Sequence, residues 1–169
     1  ELNMVSPDYF RTLGIPVLRG RIFTATDAAG SPPVVIVNDA FVKRYFAGQD
    51  PVGKHVYQHV PNGERAGGLP TEIIGVVQTT KSGQLTDSPR PAMFFPVAQK
   101  PELALTLSVR TGVDPGATIT QLRGVVRSLD ANLPVFDVRT LAQQKNGSLA
   151  MQRMAATLLS GFGVLALLL

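Results

Sequence analysis

The sequence predicts an α+β domain: a mixed β-sheet with packed helices, including a βαβ unit, that ends in the start of a transmembrane helix. Three observations predict it. First, Val34–Val37 (VVIV) and Glu72–Val77 (EIIGVV) are short apolar runs of the kind buried on both faces of a sheet. Second, Leu103, Leu105, Leu107 and Val109 alternate with Ala104, Thr106, Ser108 and Arg110, a one-faced strand that leads into a capped helix. Third, Met154–Leu169 (MAATLLSGFGVLALLL) carries no charge. A helix of that length spans roughly 24 Å, most of a hydrocarbon core about 30 Å thick.

Each element follows from local chemistry. Ser6 can cap a short helix, with Pro7 at its first position and Asp8 at the positive end of its dipole. Gly14 and Pro16 close that helix, and Val17–Phe23 reads as a short strand. Thr24–Pro33 (TATDAAGSPP) is a loop by composition. After the strand Val34–Val37, Asn38 is a good N-cap. Phe41, Val42, Tyr45 and Phe46 then fall at helical spacing, with Lys43 and Arg44 opposite and Gly48 as the residue beyond the cap. KHVYQHV (54–60) alternates like a strand, Pro61–Pro70 and Thr79–Pro91 are loops, and Met93–Val97 is a strand whose Pro96 suits an edge.

Asp114-Pro115 starts the clearest helix, with Ile119, Leu122, Val125, Val126 and Leu129 as its apolar stripe and Gln121, Arg123 and Arg127 toward water. Val135–Arg139 reads as a strand, which completes a right-handed parallel βαβ unit with the strand before the helix. Thr140-Leu-Ala-Gln143 is a capping-box start to another helix. The final run is apolar all round and contains Gly161 and Gly163, both tolerated in membrane helices.

Composition narrows the function. Charged residues make up 17% of the chain and the net charge is +4. The basic residues are scattered, with no run of Lys/Arg and without the aromatic interleaving of a nucleic-acid surface, so no nucleic-acid partner is expected. The chain has no cysteine, which excludes disulfide frameworks and thiolate metal sites.

The stretch AGQDPVGKHV places Gly48 and Gly53-Lys54 at the spacing of a nucleotide-binding P-loop. His55 stands where that motif needs a hydroxyl. The glycines also follow a helix and precede a strand, the reverse of the P-loop order. A helix end followed by a turn at Asp50-Pro51-Val52-Gly53 uses every residue present. His55 and His59, on a strand, lie roughly 13 Å apart and cannot share a metal. No nucleophile elbow, H-E-x-x-H helix or paired carboxylate appears. No catalytic, cofactor or metal residue is therefore assigned, and no enzyme is expected.

Six segments occur in the order of a known family: VSPDYFRTLGIPVLRGRIF, VVIVNDAFVKRYFAGQDPVGKHV, EIIGVV, SVRTGVDPGA, LDANLPVFDVRTL and MQRMAATLLSGFGVLALLL. The chain resembles the MacB-like periplasmic core domain of FtsX-like ABC-transporter permeases, as the second such domain of a large bacterial permease. The resemblance implies an extracytoplasmic domain over residues 1–147 and the start of a membrane helix over 148–169. Arg139, Lys145 and Arg153 would by charge place the flank of that helix in the cytoplasm. The resemblance implies the opposite side and is preferred. It further implies a non-catalytic part of an exporter, coupled through permease helices to a cytoplasmic ATP-binding subunit, and a second permease protomer. Rigid coupling would place Leu141 and Leu149 near the junction with the membrane helix. The alternative is a regulatory module that docks an extracytoplasmic partner and moves no substrate.

Overall fold

The computed structural model describes residues 1–57, 69–80, 89–100 and 105–143. The chain divides into two compact units, Glu1–Arg110 and Thr111–Leu169. The first holds a six-stranded sheet with strands β1 (Leu2–Val5), β2 (Val17–Gly20), β3 (Val34–Asn38), β4 (His55–Val56), β5 (Thr71–Val77) and β6 (Met93–Pro96). Its helices are α1 (Tyr9–Leu13) and α2 (Asp39–Tyr45). The strand order is β1-β6-β3-β5-β2, with β4 also paired to β5. Pairing is mixed: β1–β6 and β3–β5 are parallel, while β2–β5, β3–β6 and β4–β5 are antiparallel.

Strand alternation divides the core between the two faces. Val34 and Ile36 join Phe10 of α1, with Val5, Phe23 and Phe94, on one face. Val35 and Val37 join Val42 of α2, with Phe95, on the other. β3 is therefore buried along its whole length, as a wholly apolar run requires. In β5 the alternation slips: Ile73 and Val76 share one face, Ile74 and Val77 the other. The cause is a bulge, since Val35 pairs with Ile73 but Ile36 pairs with Gly75. A Cβ at Gly75 would lie 2.3 Å from the Arg21 carbonyl oxygen, so glycine is what lets the backbone after β2 approach there.

Several elements differ from expectation in instructive ways. α1 begins later than Ser6-Pro7 suggests. The Tyr9 amide donates to the Ser6 carbonyl in a turn, and Asp8 pairs with Arg11 at 2.5 Å rather than capping. β2 ends at Gly20, whose φ of +70° turns the chain so that Phe23 drops into the core. After α2 the first left-handed residue is Ala47, with Gly48 following it. β6 is an inner strand, not an edge, yet Pro96 is accommodated because β3 pairs only with Met93 and Phe94. β4 is two residues long, and Gln58 to Gly68 lie outside the described residues.

In the second unit α3 (Pro115–Leu129) forms as its sequence requires, with Asp114 Oδ2 accepting from the Ala117 amide at 3.0 Å and Pro115 in the first turn. The two strands expected around it do not form among the described residues, so the βαβ unit is not completed. Alternation in 105–109 selects a face but supplies no hydrogen-bonding edge, and Leu105 and Leu107 stand exposed. In 135–139 the extended run is interrupted at Asp137, which is left-handed with φ of +57°. The capping box does form: the Gln143 amide donates to Thr140 Oγ1 at 3.1 Å, and the Thr140 amide to Gln143 Oε1 at 2.8 Å. Among the described residues no helix is long and apolar enough to cross a membrane. The run 154–169 and Leu149 lie outside them.

Candidate functional site

The P-loop-like stretch is a turn whose backbone is already committed. The Gln49 amide donates to Phe46, the Val52 amide to Asp50 Oδ1, the Gly53 amide to the Ile73 carbonyl and the Lys54 amide to Pro51. A phosphate cradle needs those amides converging and free. Lys54 itself donates to Gln49 Oε1 at 2.7 Å. His55 is exposed on β4, and His59 lies outside the described residues. No group of metal-ligating side chains is present among the described residues.

Two carboxylates are held far below their ordinary range, each by a clamp rather than by a substrate-ready cleft. Asp27 receives both guanidinium nitrogens of Arg21, at 2.7 and 2.9 Å, and the Thr24 amide at 2.8 Å. The Arg21 hydrogen bonds outweigh the opposing cost of burial and hold its pKa at about 2. This clamp sets the shape of the loop 24–33, whose far end is tied by Gln99: its Nε2 donates to Ser31 Oγ and to the Pro32 carbonyl.

The second clamp joins the carboxyl ends of β3 and β5. Burial of Asp39 opposes its ionisation, but hydrogen bonds from Lys43 and from the Thr79 hydroxyl and amide win and hold it at about 2. The Thr79 amide lies 2.7 Å from Asp39 Oδ1, and Thr79 Oγ1 accepts from the Ala40 amide at 3.1 Å. Asn38, beside it, is buried and uses both ends of its amide. Oδ1 accepts from the Phe41 amide at 2.9 Å and from Ala92 at 3.0 Å, while Nδ2 donates to the Arg90 carbonyl at 2.8 Å. The start of β1 reaches the same end of the sheet, because the Met93 amide donates to the Glu1 carbonyl at 2.9 Å and the Glu1 amine to Pro91 at 3.0 Å.

An acid with both oxygens engaged and a pKa of about 2 is a poor proton carrier near neutrality. What Asn38, Asp39 and Thr79 do is lock three chain segments together: the β3–α2 junction, the segment after β5 and the lead into β6. This junction was only half legible in the sequence: Asn38 reads as an N-cap, but its bonds to 90–92 and the Asp39–Thr79 pair join residues far apart in the chain. Of the three loops read from the sequence, Thr24–Pro33 is described and pinned at both ends. Most of Pro61–Pro70 and of Thr79–Pro91 lies outside the described residues.

Comparison with known proteins places this architecture. The chain is 30% identical over 135 residues to the macrolide export ATP-binding/permease protein MacB 2 of Aeromonas hydrophila subsp. hydrophila, covering 72% of this chain and 20% of that protein. The chain thus spans about a fifth of its curated relative. Among solved structures, the periplasmic region of MacB from Actinobacillus actinomycetemcomitans matches with a TM-score of 0.53 and 21% identity, over 76% of this chain and 56% of that one. The extracellular domain of the noncanonic ABC-type transporter YknZ from Gram-positive bacteria matches with a TM-score of 0.51 and 19% identity, over 82% and 69%. Both likenesses show the fold. The profile of the MacB-like periplasmic core domain matches residues 1–125, and the chain belongs to that family.

Proposed function

We propose that this chain is the external, non-catalytic domain of an ABC-transporter permease. In this reading, residues 1–147 lie outside the membrane, a membrane helix starts near Ser148, and cytoplasmic ATP hydrolysis moves the external domain during export. The partners are an ATP-binding subunit or domain, the membrane and a second permease protomer. The family match over residues 1–125 carries the proposal. The geometry supports it: Asp39 and Asn38 are consumed in tying strand ends, Asp27 in holding the loop 24–33, and the glycine turn in its own backbone hydrogen bonds, which suits a part that transmits motion rather than one that performs chemistry.

The test is made in the whole parent protein, reconstituted in vesicles with its ATP-binding partner. A flexible Gly/Ser insertion between Asn146 and Gly147 is expected to leave ATP turnover intact and to abolish most export. Export at the unaltered level would overturn the reading.

A further inference from the structure

An unbroken series of cation and ring contacts runs over the outer side of α2 and the turn after it. The Arg44 guanidinium lies 5.5 Å from the Tyr45 ring centroid. The Tyr45 ring lies 4.7 Å from that of Phe41, tilted by 49°, and Phe41 lies 6.2 Å from Phe46. Lys54 Nζ closes the series 5.4 Å over Phe46. The ends are cationic and the middle is aromatic. Phe41 and Phe46 lean on the core, whereas Tyr45 is 58% exposed.

The surrounding charges cancel in pairs and these two do not. Lys43 meets Asp39 at 2.8 Å, and Arg19 meets Asp50 at 3.8 Å. Arg44 and Lys54 form no ion pair among the described residues; Lys54 spends one N–H on Gln49 Oε1 at 2.7 Å and keeps two for an incoming carboxylate. A guanidinium lying over a ring keeps its N–H edge available for a carboxylate. Core packing accounts for Phe41 and Phe46 but not for Tyr45, which is exposed, or for the two cations at the ends of the series.

We infer that this side of α2 docks an acidic segment of a partner protein. One carboxylate takes Arg44, another takes Lys54, and an apolar side chain lies against Tyr45. Tyr and Arg together are the composition of interface hot spots. A lipid surface fits less well. Phe41 and Phe46 are held by the core, which leaves Tyr45 alone to insert, and lipid-binding basic patches use clusters of about four to eight cations. The inference does not depend on the transport reading.

The test uses the full chain in neutral detergent and three probes. One is a fluorescent peptide with glutamates flanking a central leucine. The second is its lysine counterpart. The third is a vesicle of equal parts phosphatidylglycerol and phosphatidylcholine. The acidic peptide is expected to bind, more weakly as salt rises. The double variant Arg44→Ala/Lys54→Ala should weaken it by about tenfold or more, Tyr45→Ala by a similar factor, and Lys43→Ala by less than about twofold. Arg44→Gln/Lys54→Gln repeats the test should the alanine pair misfold. Equal binding of acidic and basic peptides, an equal loss in Lys43→Ala, or no peptide binding would overturn the inference. So would vesicle binding lost in the same double variant, which would make the face a lipid surface.

Discussion

Arg110 donates its Nε–H to the Thr12 carbonyl at 2.7 Å, across a sequence separation of 98 residues. Thr12 lies in the last turn of α1, where carbonyls have no partner within the helix and the dipole is negative. The guanidinium answers both. Gly14 makes the contact fit: its φ is +68°, and a Cβ there would lie 2.9 Å from Arg110 Nη2.

Gly14→Ala is therefore expected to cost about 1–2 kcal/mol from the left-handed backbone alone, and to push Arg110 aside. Arg110→Ala should cost about 1 kcal/mol for the lost, solvent-exposed hydrogen bond. Because both changes spoil one contact, the double variant should lose less than the sum of the two. Urea midpoints of the four proteins decide it, and strict additivity would show that the two residues are not coupled.

Asn38 offers a sharper contrast. Asparagine and aspartate are equally good N-caps, so helix capping alone predicts no effect of Asn38→Asp. The structure predicts a loss of about 1–3 kcal/mol, because a carboxylate in place of the amide cannot donate to the Arg90 carbonyl and sets a charge against it. Asn38→Leu should cost more, since it also strands the Ala92 amide, which now bonds Oδ1 at 3.0 Å. The unfolding free energies of the two variants, compared with the natural chain, provide the check. An Asn38→Asp protein of unchanged stability would mean that the junction is not tied through this side chain.

These cases show where the sequence is legible. β3, β5 and α2 were readable because their determinants are local: unbroken apolar runs, then an N-cap and a helical stripe. The mixed sheet was readable in class. Its order was not, because placing β6 between β1 and β3 depends on pairings distant in sequence. The same limit hid the Asp39–Thr79 and Asn38–Arg90 bonds. Alternation in 105–109 misled for the converse reason, since a pattern names a face but not a partner. The bulge in β5 had a signal in Gly75, a glycine inside an apolar strand.

The two acid clamps make a pH prediction. Asp27 and Asp39 are each held at about 2, against an ordinary 3.8. A carboxylate whose folded-state pKa is depressed stabilises the fold fully above its unfolded pKa, and that contribution disappears as pH falls through the folded value. These two clamps should therefore contribute a constant amount from neutrality down to about pH 5. The loss then runs between about pH 4 and pH 2, with each carboxylate contributing on the order of 2 kcal/mol. Asp27→Asn gives up the paired Arg21 contact, so it should melt at a lower temperature near neutrality and show a shallower acid limb. The melting curves of variant and natural chain should draw together through pH 2, where the natural carboxylate is half protonated, and converge below it. Thermal melts followed by circular dichroism at steps of pH measure this directly. If the two Tm profiles instead run parallel throughout the acid range, Asp27 is not the group whose ionisation the Arg21 clamp stabilises.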